Sequence, residues 1–240
     1  MSPHGTAPAP VALVTGAGSG IGRATAILLA ARGYHVALAG RREGPLRAVA
    51  AELPASAEPL VIAADVGDAA AARAMVASAA DRFGRLDVLI NNAGLAPLLP
   101  IDRTSAAVLD EVYRVNALGP ANAIAAAWPH FTRQGSGCVV NVSTMGTIDP
   151  FPGFFAYAPA KAAVNLMARP CANEGRAIGV RAFAVAPGAV ETPMLRALFD
   201  ERAAPPAACL TPDEVASVIL DCVEGRRDHD NGNVIPVTKA

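Results

Sequence analysis

The sequence is poor in aromatic side chains and in charge: aromatics make up 5% of its 240 residues, and Asp, Glu, Lys and Arg together 17%. The formal net charge is -1, which argues against electrostatic capture of nucleic acid or of an anionic membrane surface. Cysteine is sparse as well. Cys138, Cys171, Cys209 and Cys222 form no C-x-x-C pair and have no histidine at ligand spacing, so they read as buried or free thiols, not as a zinc site or disulfide framework. His4, His35, His130 and His229 are too far apart to suggest a metal motif, and no metal is assigned. The most membrane-like stretch, VNALGPANAIAAAWPHF, is broken by two prolines, two asparagines and a histidine, and reads as a buried helix. The opening MSPHGTAPAP lacks the basic start and apolar run of a signal peptide, so residues 1–9 are expected to be a flexible lead-in and the protein cytoplasmic. No repeat or low-complexity linker divides the chain. With 52% hydrophobic residues it can fill one large core, and a single domain over 1–240 is expected.

What is present is a regular alternation. The apolar runs PVALVTG, YHVALAG, PLVIAAD, LDVLINNAG, GCVVNVS, VRAFAVAPG and GNVIPV are continuous rather than alternating, as in strands buried on both faces. Between them lie helical stretches: IGRATAILLAARG, REGPLRAVAAEL, DAAAARAMVASAADRFG, a long one around 105–132, one holding Tyr157 and Lys161, a segment near 193–202, and TPDEVASVILDCVEG. This order predicts an α/β fold, a doubly wound parallel sheet of about seven strands with helices on both faces in three αβα layers. Such sheets bind ligands outside the carboxyl ends of their strands. Thr15, Gly16, Asp65, Asn91, Asn92 and Ser143 all fall at such ends, which implies one cleft.

The turn TGAGSGIG joins the first strand to the first helix, where glycines let backbone amides approach a pyrophosphate and the helix N-terminus favours its charge. It lacks the third glycine of G-x-G-x-x-G, because Ile21 stands there. A tight structural turn, or the nucleotide turn of a methyltransferase, remains open at this point. Also missing is an acidic residue after the second strand to hold ribose hydroxyls. Gly40, Arg41 and Arg42 stand there instead, and a guanidinium suits an adenosine 2′-phosphate, so NADP(H) is favoured over NAD(H).

YAPAK sets Tyr157 and Lys161 four apart, which on a helix puts both on one side. They could be two exposed side chains. As a pair, a neighbouring ammonium would lower the phenol's pKa from about 10 toward the working range. With TGAGSGIG, Asp65–Val66, NNAG at 91–94, Ser143, the Tyr157/Lys161 pair and Pro187–Gly188 in this order, the sequence resembles the short-chain dehydrogenase/reductase family from about Val11 to Val237.

That resemblance implies a Rossmann-type oxidoreductase that moves a hydride between a nicotinamide cofactor and a carbonyl or secondary alcohol, working as a homodimer or homotetramer. It implies a cofactor loop of Gly16, Gly18, Ser19, Gly20, Ile21 and Gly22. Asp65 and Val66 would contact adenine, Asn92, Ala93 and Gly94 the inner ribose side, and Pro187, Gly188, Val190 and Thr192 the nicotinamide end. Ser143, Tyr157, Lys161 and Asn116 would form a proton-relay tetrad, with Asn116 holding a water and Lys161 also holding ribose hydroxyls. A retired, cofactor-sensing relative would more readily have lost Tyr157 or Lys161, and a methyltransferase has no use for them.

Three further expectations concern shape. Pro159 is placed in the first turn of its helix, which should begin near Gly153 to Ala156. Pro170 should bend or end that helix near Met167, which unsettles the oligomer interface the family builds there, and the C-terminus lacks the glycine pair that often follows the last strand. The substrate wall should draw on Leu95, Leu98, Leu99, Met145, Phe151, Phe154, Phe155, Met194, Leu195, Leu198 and Phe199, giving a largely apolar substrate. Arg196 and Arg202 could face an anionic tail, and residues 189–208 are expected to form a lid.

Overall fold

The computed structural model describes residues 8–239; most of the expected lead-in, residues 1–7, lies outside the described residues. Seven strands, β1 (Val11–Thr15), β2 (His35–Gly40), β3 (Leu60–Ala63), β4 (Val88–Asn91), β5 (Gly137–Val142), β6 (Val180–Pro187) and β7 (Val234–Val237), form one sheet in the order β3-β2-β1-β4-β5-β6-β7. Every pairing is parallel. The order in which strands are added reverses between β1 and β4, so the crevice expected at such a switch opens beside the turn after β1.

The continuous apolar strands are explained by the two cores they serve. Ala12 and Val14 face one layer, with Leu29, Val36, Leu38, Val215 and Ile219. Their neighbours Val11 and Leu13 face the other, with Met75, Val76, Leu89, Phe131 and Val139. The first layer is covered by helices α1 (Gly20–Ala31), α2 (Glu43–Glu52) and α8 (Pro212–Val223), the second by α3 (Ala69–Phe83), α5 (Gly119–Gln134) and α6 (Tyr157–Gly175). Polar side chains start several of these helices. Asp68 accepts from Ala71 N at 2.7 Å to begin α3, and Thr211 and Glu214 form a capping box on α8.

The long helical stretch around 105–132 is divided. α4 (Ala106–Tyr113) passes through a π-helical turn at Arg114–Leu118 into α5. Asn116 lies within that turn, where the widened backbone redirects its side chain. Pro159 sits in the first turn of α6, as expected.

Pro170 behaves differently from the sequence expectation: α6 runs unbroken through it to Gly175. Its missing N–H faces solvent, where Leu166, the residue whose carbonyl it deprives, is 71% exposed and can be hydrated. The opposite face of the helix, with Val164, Ala168, Cys171 and Ala172, is buried against the sheet and holds the helix on course. All four cysteines are free and buried. No helix among the described residues is long and apolar enough to cross a membrane.

Candidate active site

A cleft of about 730 Å³ runs along the carboxyl ends of the strands, from the turn after β1 to the segment around α7 (Pro193–Leu198). At its first end the turn is shaped by close approach. Gly16 has φ +64°, and a Cβ there would lie 2.8 Å from Asn92 Nδ2 and 2.9 Å from Ala93 Cα. Asn92 Nδ2 donates to Thr15 O at 2.9 Å and to Gly16 O at 3.2 Å, while Thr15 Oγ1 accepts from the backbone N–H groups of Asn92 and Ala93 at 3.0 Å each. The ends of β1 and β4 are therefore locked together beneath the glycine turn.

Gly16, Gly18, Ser19, Gly20 and Ile21 line the cleft, whereas Gly22 lies underneath, packed on Gly16 and Asn92. Arg41, Arg42, Asp65 and Val66 line the same end. Among the described residues neither Arg41 nor Arg42 forms an ion pair, and the adjacent Glu43 is taken by Arg47. Asp65 Oδ1 accepts from Gly67 N at 2.9 Å, which fixes its carboxylate at the strand end.

In the middle of the cleft stand Asn92, Ala93, Gly94, Ser143, Tyr157, Lys161, Pro187, Gly188, Val190 and Thr192, all expected there from sequence. Lys161 is buried, and its Nζ donates to Val142 O at 2.7 Å. Ser143 Oγ donates to Lys161 O across a long 3.4 Å. Burial pushes the Lys161 amine down to about 8. Burial also pushes the Tyr157 phenol up to about 12, with the Thr144 hydroxyl opposing it in part. The lowering of the phenol by the ammonium that the sequence led us to expect does not appear here: burial comes first, and Lys161 is not among the groups that act on the ring.

Asn116 is fully buried behind the cleft wall. Its Oδ1 accepts from Leu95 N at 3.0 Å and its Nδ2 donates to Leu95 O at 2.7 Å. A Cβ on Gly94 would fall 3.0 Å from Asn116 Oδ1 and 3.5 Å from Lys161 Nζ, so this glycine is what lets the two polar groups face each other.

The far end is lined by Met145, Phe151, Phe154, Met194, Leu195, Leu198 and Phe199, as expected. Four expected residues are elsewhere. Leu95 packs into the core beneath α4, Leu98 and Leu99 pack beside Gly153 and Phe154, and Phe155 is turned to solvent. Arg196 is not a free cation either: it pairs with Glu191 and donates to Phe199 O and Ala204 O, at 2.9 Å in the second case. Arg202 lies outside the lining. Sequence order identifies which segments reach the cleft but not which of their side chains turn inward.

Asp149, Thr144 and Asn141 escaped the sequence reading, and Asn91, expected at the cleft, is buried and outside its lining. Asp149 and Thr144 line the far end. Asn91 Nδ2 donates to Asn141 Oδ1 at 2.9 Å, and Asn141 Nδ2 donates to Val164 O at 3.1 Å, so a buried polar chain bolts α6 to β4 and β5. An asparagine inside the apolar run GCVVNVS was the available signal for it.

Residues 10–203 match the family model described as short chain dehydrogenase. The chain belongs to that family. It is an enzyme of the oxidoreductase type, and the family uses nicotinamide cofactors. The protein named ketoacyl reductase 2 of the granaticin polyketide synthase, from Streptomyces violaceoruber, is 38% identical over 242 residues, 95% of this chain and 94% of that one. Levodione reductase from Leifsonia aquatica is 34% identical over 245 residues, 95% of this chain and 92% of that one. A crystal structure of levodione reductase superposes with a TM-score of 0.88 at 33% identity, covering 95% of this chain and 96% of that one. The 3-ketoacyl-(acyl-carrier-protein) reductase from Brucella melitensis, complexed with NADH, gives a TM-score of 0.89 at 28% identity over 95% of this chain and 96% of that one. The methyltransferase alternative is thereby set aside.

Proposed function

We propose that this short-chain dehydrogenase reduces a carbonyl group of a largely apolar substrate to a secondary alcohol, with NADPH as the favoured reductant and NADH the alternative. The observation that carries the reading is the convergence of Ser143, Tyr157 and Lys161 in the middle of a cleft with a glycine cradle and two unpaired arginines at one end. The cradle fits a dinucleotide: Gly16 has no room for a side chain, and Gly18 and Gly20 leave backbone against the cleft at the N-terminus of α1. Bound there, the nicotinamide supplies the hydride.

The chain's own groups do the rest. The Tyr157 phenol, pushed up by burial, is protonated at neutral pH and can donate that proton to a carbonyl oxygen. Ser143 gives up little when its weak 3.4 Å bond to Lys161 O is exchanged for one to the substrate oxygen. Lys161 uses one N–H on Val142 O and keeps two for ribose hydroxyls and for recharging the phenol. Asn116 positions Gly94 and Leu95, and through them the wall facing Lys161.

Arg41 and Arg42 support NADPH, because a 2′-phosphate would find two cations that, among the described residues, no carboxylate pairs. We infer that residues 1–240 form one domain, with 189–208 as the substrate lid. We also infer, from the family resemblance, a homodimer or homotetramer, for which the exposed Leu118 and Leu166 near α5 and α6 are the candidate contact. Fluorescence titration with NADPH and NADH tests the reading. NADPH should bind more tightly, and Arg41→Ala should weaken it about tenfold or more while sparing NADH. Tighter NADH binding would strip Arg41 of this role, and binding of neither cofactor would overturn the enzyme reading.

A further inference from the structure

A chain short of aromatics concentrates them at one end of its cleft. Of its seven phenylalanines, Phe151, Phe154 and Phe199 line the half beyond Tyr157. Their rings form a connected series. Phe154 meets Tyr157 edge-on at 5.0 Å between centroids, Phe151 lies tilted on Phe154 at 4.1 Å, and Phe199 meets Phe151 edge-on at 5.8 Å. The series leads from the candidate proton donor to the lid. Phe151 is nevertheless 44% exposed and Met194 42%, so apolar surface is left open inside a recess that a flat apolar group would cover.

Charge divides the same cleft. Arg41, Arg42 and Asp65 stand at the dinucleotide end, while beyond Tyr157 and Lys161 the one ionisable lining residue is Asp149. Arg196, on the helix whose Leu195 and Leu198 line this end, is committed to Glu191 and two carbonyls. A carboxylate, phosphate or phosphopantetheine arm entering here would meet a like charge and, among the residues lining this end, no cation.

We propose that the substrate is an uncharged ring ketone, alicyclic or aryl, whose ring lies on Phe151 and Phe154 and is closed over by Phe199 of the lid. The inference rests on the carbonyl-reductase reading above. The ketone carbon gains a hydride and its oxygen a proton from Tyr157, giving the ring alcohol, while the reduced dinucleotide loses that hydride. Substrates carried as thioesters on coenzyme A or on an acidic carrier protein are disfavoured by Asp149.

The test is calorimetric titration of Tyr157→Phe protein, loaded with NADPH, using 2-tetralone and acetoacetyl-coenzyme A as probes. The tetralone should bind, and Phe151→Ala and Phe199→Ala should each weaken it by about tenfold or more while NADPH affinity stays within about twofold. Failure of tetralone to bind, tighter binding of the thioester, or indifference to both phenylalanines would overturn the proposal. Turnover by the unmodified protein separates the two readings: tetralone that binds through the phenylalanines but is never reduced would sink the reductase reading and leave the ring site standing. Were NADPH not to bind, the same titration on the protein alone would still decide the ring site.

Discussion

At the scale of single residues, burial is the force that sets the chemistry. Tyr157 and Lys161 are displaced in opposite directions for one reason, because the charged form of each is disfavoured away from water. This has a consequence for stability. Lysine ordinarily titrates at 10.5 and here at about 8, so the unfolded chain holds more protons between those values and stability rises with pH across that window. Tyr157 acts with the other sign, its folded pKa of about 12 exceeding the ordinary 10, so its contribution is lost only as pH climbs from 10 to 12. Lys161→Met should therefore be more stable than the unmodified protein at pH 7, with an advantage that shrinks by about 2 kcal/mol by roughly pH 9.5. Urea unfolding of the two proteins side by side checks this, since the buried thiols cancel in the difference. Tyr157→Phe should lose reductase activity by about a hundredfold or more while binding NADPH normally, measured as kcat against cofactor affinity.

At the scale of elements, α6 carries both a liability and an anchor. Pro170 interrupts the hydrogen-bond ladder on the solvent side, and an interior proline costs about 3 kcal/mol relative to alanine, less the gain from a stiffer unfolded chain. Pro170→Ala should raise stability by about 2 kcal/mol in urea melts, and a neutral or destabilising result would mean the ring packs on something the helix needs. The anchor is Asn141. Replacing it with alanine strands the Asn91 amide in the core and removes the second bond on the Val164 carbonyl, and should lower stability by about 1–3 kcal/mol. Because the chain holds α6, the same substitution should reduce kcat more than it raises the KM for NADPH.

At the scale of the whole molecule, the fold was legible because every strand is a continuous apolar run and every crossover a separate helix, so local pattern and global topology agree. The order of strand ends also located the cleft, and with it Ser143, Tyr157 and Lys161. What was hidden depended on distant partners. The passage of α6 through Pro170 is decided by a buried face on the sheet, the rise of the Tyr157 phenol by its enclosure, and the absence of Leu95, Leu98 and Phe155 from the wall by how loops turn. The structure as a unit should respond to the cofactor proposed for it: NADPH at about 100 times its Kd should add about 2.7 kcal/mol, readable as a rise in Tm, and an unchanged Tm would contradict binding to the folded chain. The uneven placement of charge along the cleft, two arginines with Asp65 at one end and Asp149 alone at the other, gives the site a direction. A dinucleotide offered backwards would press its phosphorylated ribose toward Asp149 and leave Arg41 and Arg42 unanswered. Such a molecule is sorted by orientation before any contact with Tyr157 is made.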